Sequence, residues 1–413
     1  MTQNNNIPAG YKDSAVGVIP QEWEVKYLGD LLVRLANGLT YDVSITSGFA
    51  VSRIETISSG EINYSKVGYI DNATGCESYK MQKGDILYSH INSLAHVGKV
   101  AYYDGKQDLY HGMNLLLLRV NEKLDSNYLY AYLLTSQARH IAQVIAKPAV
   151  NQASISTSDI RKIKLAVPPM EVQRKIAEIL GVWDEAIEKR SRLIERLEVR
   201  KRALMQRLLT GRTRLSGFTT PWQKIKLGEI CEEYILRNTG DNDYIVLSCT
   251  KYNGLVSSLD YFGKQIFSDN LRTYKVVPKH HFAYATNHIE EGSIGYQFNY
   301  DYALISPMYT VFKTDDTKVD NYFLYRLLKT PLMIYNYQSR IEGSIDRRGG
   351  LRWDAFAGIT IKLPSLPEQK AIAEVLTAAD NEIATHRKKL DALRLQKRGL
   401  MQQLLTGKTR VKI

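Results

Sequence analysis

A chain of 413 residues has room for two or three domains, and 44% hydrophobic and 24% charged residues with only 27 glycines and 11 prolines exclude a collagen-like, low-complexity or wholly disordered protein. Fifty-five Lys and Arg against 43 Asp and Glu leave a formal charge of +12, a balance suited to a polyanionic partner. Cys76, Cys231 and Cys249 have no CxxC spacing and indicate neither a disulfide framework nor a zinc knuckle, and a polar start with no apolar run of about eighteen residues predicts a soluble, cytoplasmic protein.

In chain order, residues 1–166 read as a first variable domain. A short alternation at Asp85 to Tyr88 and an apolar run at Leu115 to Leu118, punctuated by Gly, Asn and Asp, predict strands, and Tyr128 to Leu134 predicts a short helix. Residues 167–212 form a helical connector. Residues 213–362 repeat the first plan, with strands at Tyr244 to Leu247 and Met308 to Phe312 and a helix at Tyr322 to Leu328, and 363–413 form a second connector. The expected fold class is α+β: two variable domains alternating with two long helices.

The connectors are copies of one another. Pro168–Arg214 aligns without a gap onto Pro364–Arg410 at an offset of 196, with 20 of 47 positions identical. Weaker echoes lie upstream, Trp23 to Asp30 against Trp222 to Glu229 and Asn127-Tyr128 against Asn321-Tyr322. In the first connector Ile176, Leu180, Trp183, Ile187, Ile194, Leu197, Leu204 and Leu208 recur at four-then-three spacing, interrupted by Arg190 and Lys201. In the second, Ile372, Leu376, Ala379, Ile383, Leu390, Leu393, Leu400 and Leu404 do the same, interrupted at the same heptad places by His386 and Lys397. Such seams need a partner, and the simplest one is the other connector; paired antiparallel they make a coiled coil with an internal pseudo-twofold, while the spacing alone leaves parallel packing open. Pro168, Pro169 and Pro367 mark the helix starts, and Gly211 and Gly407 mark the exits.

Catalytic signatures are weak. Thr406-Gly407-Lys408-Thr409 resembles the end of a phosphate loop, but Gln402 stands where its first glycine belongs. Pro168-Pro169 is flanked by Val167 and Met170, so it lacks the polar and aromatic neighbours with which adenine methyltransferases hold an extrahelical base. His280, His281 and His288 cluster without a well-spaced fourth ligand. The expectation is no catalytic residue, no metal site and no cofactor within this chain.

Reading DNA requires cations for phosphates and hydrogen-bonding side chains for base edges. In the first variable domain such chemistry gathers at Arg53, Asn63 and Lys66 and at Lys99, Tyr103 and Lys106. In the second it gathers at Lys251 and Tyr252, at Arg272 and Lys275, and in the cation cluster Arg347, Arg348 and Arg352.

Taken together, the Trp-x-x-x-x-Leu-Gly starts at Trp23 and Trp222, the Pro-x-x-x-x-Gln-x-x-Ile-Ala-Glu helix starts at Pro168 and Pro364, and the Leu-Leu-Thr-Gly endings at Leu208 and Leu404 resemble the specificity subunit of a type I restriction-modification system over nearly the whole chain. The resemblance implies a noncatalytic DNA-binding subunit whose two target-recognition domains each read half of a bipartite target in double-stranded DNA, with the helices fixing the separation. It also implies two adenine methyltransferase subunits and two restriction/translocase subunits as partners, which would carry S-adenosylmethionine, ATP and Mg. A stand-alone DNA-binding or anti-restriction decoy of the same architecture would leave the same marks in the sequence.

Overall fold

The computed structural model of the chain describes residues 7–150, 152–240, 242–341 and 350–413. Its fold is mixed, with short strands and helices joined to two long helices, Met170–Leu208 and Leu366–Leu405. Each of these rises about 60 Å at 1.5 Å per residue. Gly211 and Gly407 follow their ends with φ of +69° and +71°, the left-handed conformation that glycine adopts without steric penalty.

The chain forms two compact units. Met1–Ser191 and Lys388–Ile413 make the first, and Arg192–Arg387 makes the second. Each unit therefore holds one variable domain, the near part of one long helix and the far part of the other.

In the first unit the strands Leu32–Asn37, Leu116–Val120, Ile86–Tyr88 and Val100–Tyr102 lie side by side in that order, antiparallel throughout. The strand Glu24–Tyr27 pairs with Lys164–Val167 and brings the two ends of the domain together. Behind the sheet lie the helices Ser126–Leu133 and Ser136–Ile145, capped by Asp125 and Thr135. The core joins Trp23, Leu28 and Tyr128 to Ile176 and Leu180 of the first long helix and to Met401 and Leu404 of the second. Lys397 forms an ion pair with Asp184, so the two helices run antiparallel here.

The second unit repeats this plan. Cys231–Glu233, Tyr309–Thr314, Phe282–Ala285 and Ile294–Tyr296 form the corresponding sheet in the corresponding order, and Gln223–Lys226 pairs with Thr360–Leu363. A further four-stranded sheet, Gly254–Ser257, Val246–Thr250, Tyr302–Ile305 and Lys275–Pro278, enlarges this unit. The helices Asn321–Leu328 and Pro331–Gln338 carry the same Asp and Thr caps, at Asp320 and Thr330. Phe282, Phe312 and Phe323 pack with Leu208 of one long helix and Ile372 and Leu376 of the other. Ion pairs from Lys201 to Asp380 and from Arg387 to Glu198 again set an antiparallel pairing.

None of the sixteen seam positions is exposed. Eleven are buried, while Trp183, Ile187, Leu204, Leu393 and Leu400 are half-buried. The interruptions Lys201 and Lys397 lie where a cation can leave the seam and reach an aspartate on the opposite helix.

One buried glutamine per unit ties the domain to its helix. Gln173 accepts a hydrogen bond from the Asp125 N–H (2.8 Å) and donates to the carbonyls of Lys123 (3.1 Å) and Pro168 (2.9 Å). Gln369 accepts from the Asp320 N–H (2.9 Å) and donates to Lys318 (3.1 Å) and Pro364 (2.9 Å). The amide thus satisfies the helix-start carbonyl and the cap of the neighbouring domain helix in one step, which explains why both connectors place Gln five residues after Pro.

Candidate nucleic-acid interface

The first unit brings its two groups of sequence candidates together. Lys99 donates from Nζ to the Ser58 carbonyl (2.8 Å), and the Tyr64 hydroxyl donates to the Gln107 carbonyl (3.4 Å). Arg53 is half-buried, 3.4 Å from the Glu55 carboxylate, and its N–H donates to the Thr56 hydroxyl (2.8 Å). Asn63 spends its side-chain oxygen on the Ser65 N–H (2.9 Å) and hydroxyl (2.7 Å), so it builds a turn as well as standing near the surface. Lys66 and Lys106 are exposed, the latter 2.7 Å from the Asp104 carboxylate.

Two candidates need correction. Tyr103 is core: it is 2% exposed among Leu87, Leu109 and Leu117, donates its hydroxyl to the Gln107 carbonyl (2.8 Å), and burial pushes its phenol up to about 12. In the second unit Lys275 is half-buried and reaches from its own sheet to the neighbouring one. Its Nζ donates to the Tyr309 carbonyl (2.6 Å), and desolvation holds its ammonium below the usual lysine range.

Lys251 and Tyr252 stand at the tip of the hairpin formed by Val246–Thr250 and Gly254–Ser257, with Tyr252 82% exposed and the Lys251 Nζ 5.5 Å from the centre of its ring. Arg272 is exposed in a turn where its N–H donates to the Asn270 side chain (3.1 Å). Arg352 is exposed just before the short helix Trp353–Ala357, and Arg347 and Arg348 lie outside the described residues.

Sequence reasoning missed two cations that the fold recruits. Arg139, on the second domain helix, donates to the Ala95 carbonyl (2.9 Å) and lines a recess of about 240 Å³ with Lys99, Ser58 and Ser59. Lys329, just after Asn321–Leu328, donates to the Lys251 carbonyl (2.9 Å). Arg139 sits within a helix and Lys329 just past the end of one, where a lone basic residue carries no signal of what it will face.

The three histidines part company. His280 places Nδ1 2.7 Å from the Tyr296 hydroxyl, and His281 packs edge-on against Tyr234 at 4.7 Å. His288 instead joins Glu290 and Glu291 on a turn, their ligand atoms within 4.8 Å of one another. Among the described residues no helix is long and apolar enough to cross a membrane.

The family model for the type I restriction modification DNA specificity domain matches this chain twice, over residues 20–199 and 220–395. The putative type I restriction enzyme MjaX specificity subunit of Methanocaldococcus jannaschii is 34% identical, over 97% of each chain. Two solved structures share the fold. The type I restriction-modification S subunit from M. genitalium aligns with a TM-score of 0.55 at 16% identity, over 100% of this chain and 99% of the other. A chain from a structure concerning complex assembly and conformational transition of the type I R-M system aligns with a TM-score of 0.59 at 15% identity, over 95% and 99%.

Proposed function

The chain belongs to the type I restriction-modification DNA specificity family, and from that premise we propose that it is the noncatalytic subunit that recognises a bipartite target in double-stranded DNA and directs partner enzymes to it. The observation that carries this reading is the duplication itself. One family match falls on each variable domain, and each domain has the same sheet order, capped helix pair and glutamine tie to a long helix. A protein built from two equivalent readers with different surfaces is suited to two different half-sites.

The partners in this reading are two adenine methyltransferase subunits and two restriction/translocase subunits, working in the cytoplasm. S-adenosylmethionine, ATP and Mg act in those partners. The long helices, which run through both units, set the permitted spacing between the half-sites. With a formal charge of +12, the chain draws part of its DNA affinity from phosphate neutralisation, so binding weakens as salt rises.

The test is strand-resolved mapping of adenine methylation after co-expression with the candidate methyltransferase. Two short words at one fixed separation, with one modified adenine in each, are expected. Absence of chain-dependent methylation despite a folded complex would defeat the reading. Inserting four residues into the first long helix is expected to change the permitted spacer, or abolish assembly, without changing either word.

A further inference from the structure

Each unit carries a Thr-x-x-x-Gly turn against which the domain sets one tyrosine and one lysine. In the first unit, at Thr56–Gly60, the Tyr130 hydroxyl donates to the Gly60 carbonyl (3.1 Å) and Lys99 donates to the Ser58 carbonyl (2.8 Å). In the second, at Thr250–Gly254, the Tyr325 hydroxyl lies so close to Gly254 that an added Cβ would come within 2.5 Å of it. Lys329 there donates to the Lys251 carbonyl (2.9 Å). Tyr130 and Tyr325 occupy the same place, five residues past the capping Asp125 and Asp320. The supports are alike although the lysines come from unrelated points in the sequence.

The tips are not alike. The first unit exposes Ser58 and Ser59, and the second exposes Lys251, Tyr252 and Asn253. Tyr252 contributes almost nothing to the core, being 82% exposed, and its ring is held under the Lys251 ammonium. An ammonium, a phenol and an amide on a short hairpin tip offer both donors and acceptors to base edges and a flat face for apolar contact. Ser58 and Ser59 stand with Lys99 and Arg139 at a recess of about 240 Å³ that Val100, Leu133 and Leu134 also line; their hydroxyls donate to the Glu55 (2.9 Å) and Glu61 (3.4 Å) carbonyls, so positive charge at an exposed turn is what this site offers, which suits a phosphate. A scaffold kept constant beneath a tip that differs is what two readers of different words require.

Resting on the DNA-recognition reading above, we propose that the Lys251–Asn253 tip reads base pairs in the second unit's half-site, while the matching Ser58–Ser59 turn of the first unit grips the DNA backbone. The experiment is competition binding by the full chain, assembled with its methyltransferase partner, against duplexes in which each base pair of both words is replaced singly. The combined Tyr252→Ala and Asn253→Ala variant is expected to lose roughly tenfold or more of its discrimination at one or two base pairs of one word and none in the other. Ser58→Ala with Ser59→Ala is expected to weaken all duplexes alike. Tyr252→Phe, which keeps the ring, separates loss of the hydroxyl from disturbance of the turn and is expected to retain part of the discrimination. Unchanged preference at every position of both words, or uniform weakening by the Tyr252 and Asn253 substitutions with no position relaxed, would overturn the proposal. If the unsubstituted chain recognises no bipartite site, the functional reading fails instead, and that result precedes any comparison with a variant.

Discussion

Arg214 and Arg410 are the same residue of the internal repeat, three places beyond the glycine that ends each long helix, yet they close their units by different means. Arg214 grips the fully buried Glu368 with two hydrogen bonds (2.5 and 2.6 Å) and lies over the ring of Trp222, 5.9 Å from its centre. Arg410 pairs with the partly exposed Glu22, and in that unit Gly407 is sealed directly by Pro20 and Trp23. The residue at the position of Glu368 in the first unit is Val172, so the buried carboxylate has no counterpart there. Duplication has preserved where the chain must turn and dock, and it has left free which carboxylate the arginine takes and how deeply that ion pair is buried.

The part that is truly shared should break equally. Removing Gln173 or Gln369 leaves a buried N–H and two carbonyls without partners at the same junction, so Gln173→Ala and Gln369→Ala are each expected to cost about 3 kcal/mol or more. Hydrogen exchange read separately over residues 123–133 and 318–328 checks this, with each variant loosening its own unit by a similar amount. A large effect in one unit alone would mean that the matching geometry hides unequal roles.

Acid should separate the units. His111 of the first unit is 0% exposed, with Nε2 2.9 Å from the Leu115 carbonyl and a buried Nδ1 that has no partner. Desolvation pushes this imidazole down to about 4, because the second proton would have to enter that unpartnered site. The unfolded chain takes up the proton near pH 6.5, so the folded state keeps its full advantage above that value and loses it as pH falls toward about 4. The loss amounts to at most about 3 kcal/mol. His281, the depressed histidine of the second unit, is half-buried against Tyr234 and contributes less. Exchange protection measured at pH 7, 5.5 and 4 is expected to fall first in the first unit, and His111→Phe to reduce the difference.

The two exit glycines should differ as well. Both hold a positive φ, which costs an alanine roughly 1–2 kcal/mol. A Cβ on Gly211 would make ordinary contact with Trp222 at 3.4 Å, whereas one on Gly407 would meet the Pro20 ring at 2.3 Å. Gly407→Ala is therefore expected to cost about 3 kcal/mol in the first unit, and Gly211→Ala about half that in the second, as read by denaturant midpoints.

How legible this molecule was in its sequence follows from the range over which each signal acts. The long helices were plain because a seam residue every three or four positions, a proline before and a glycine after are local marks, and they predict Met170–Leu208 and Leu366–Leu405 closely. The strand runs and the helices capped by Asp125 and Asp320 were visible for the same reason. The helices that follow them, Ser136–Ile145 and Pro331–Gln338, were missed. So were Arg139 and Lys329, whose partners lie 44 and 78 residues away. Tyr103 misled because a tyrosine next to a turn has the same neighbours in sequence whether its ring points into the core or out of it.

The smallest expected difference lies in the coil. Asp184 and Asp380 are equivalent in the repeat, and each receives the lysine that interrupts the opposite seam, Lys397 or Lys201. Asp380 also receives Arg326, whose side chain is only 18% exposed and whose Nε is buried without a hydrogen-bond partner. Asp184 has a side chain 61% exposed and holds one cation alone, Lys397, whose own side chain is 12% exposed. Asp184→Asn is thus expected to cost about 1 kcal/mol, an effect that shrinks at high salt. Asp380→Asn strips two poorly hydrated cations of one counter-charge and is expected to cost up to about twice as much, with a weaker salt dependence. Equal effects in thermal unfolding at low and high salt would show that Arg326 adds nothing to the coil, and would leave the two halves of the repeat energetically alike at this position.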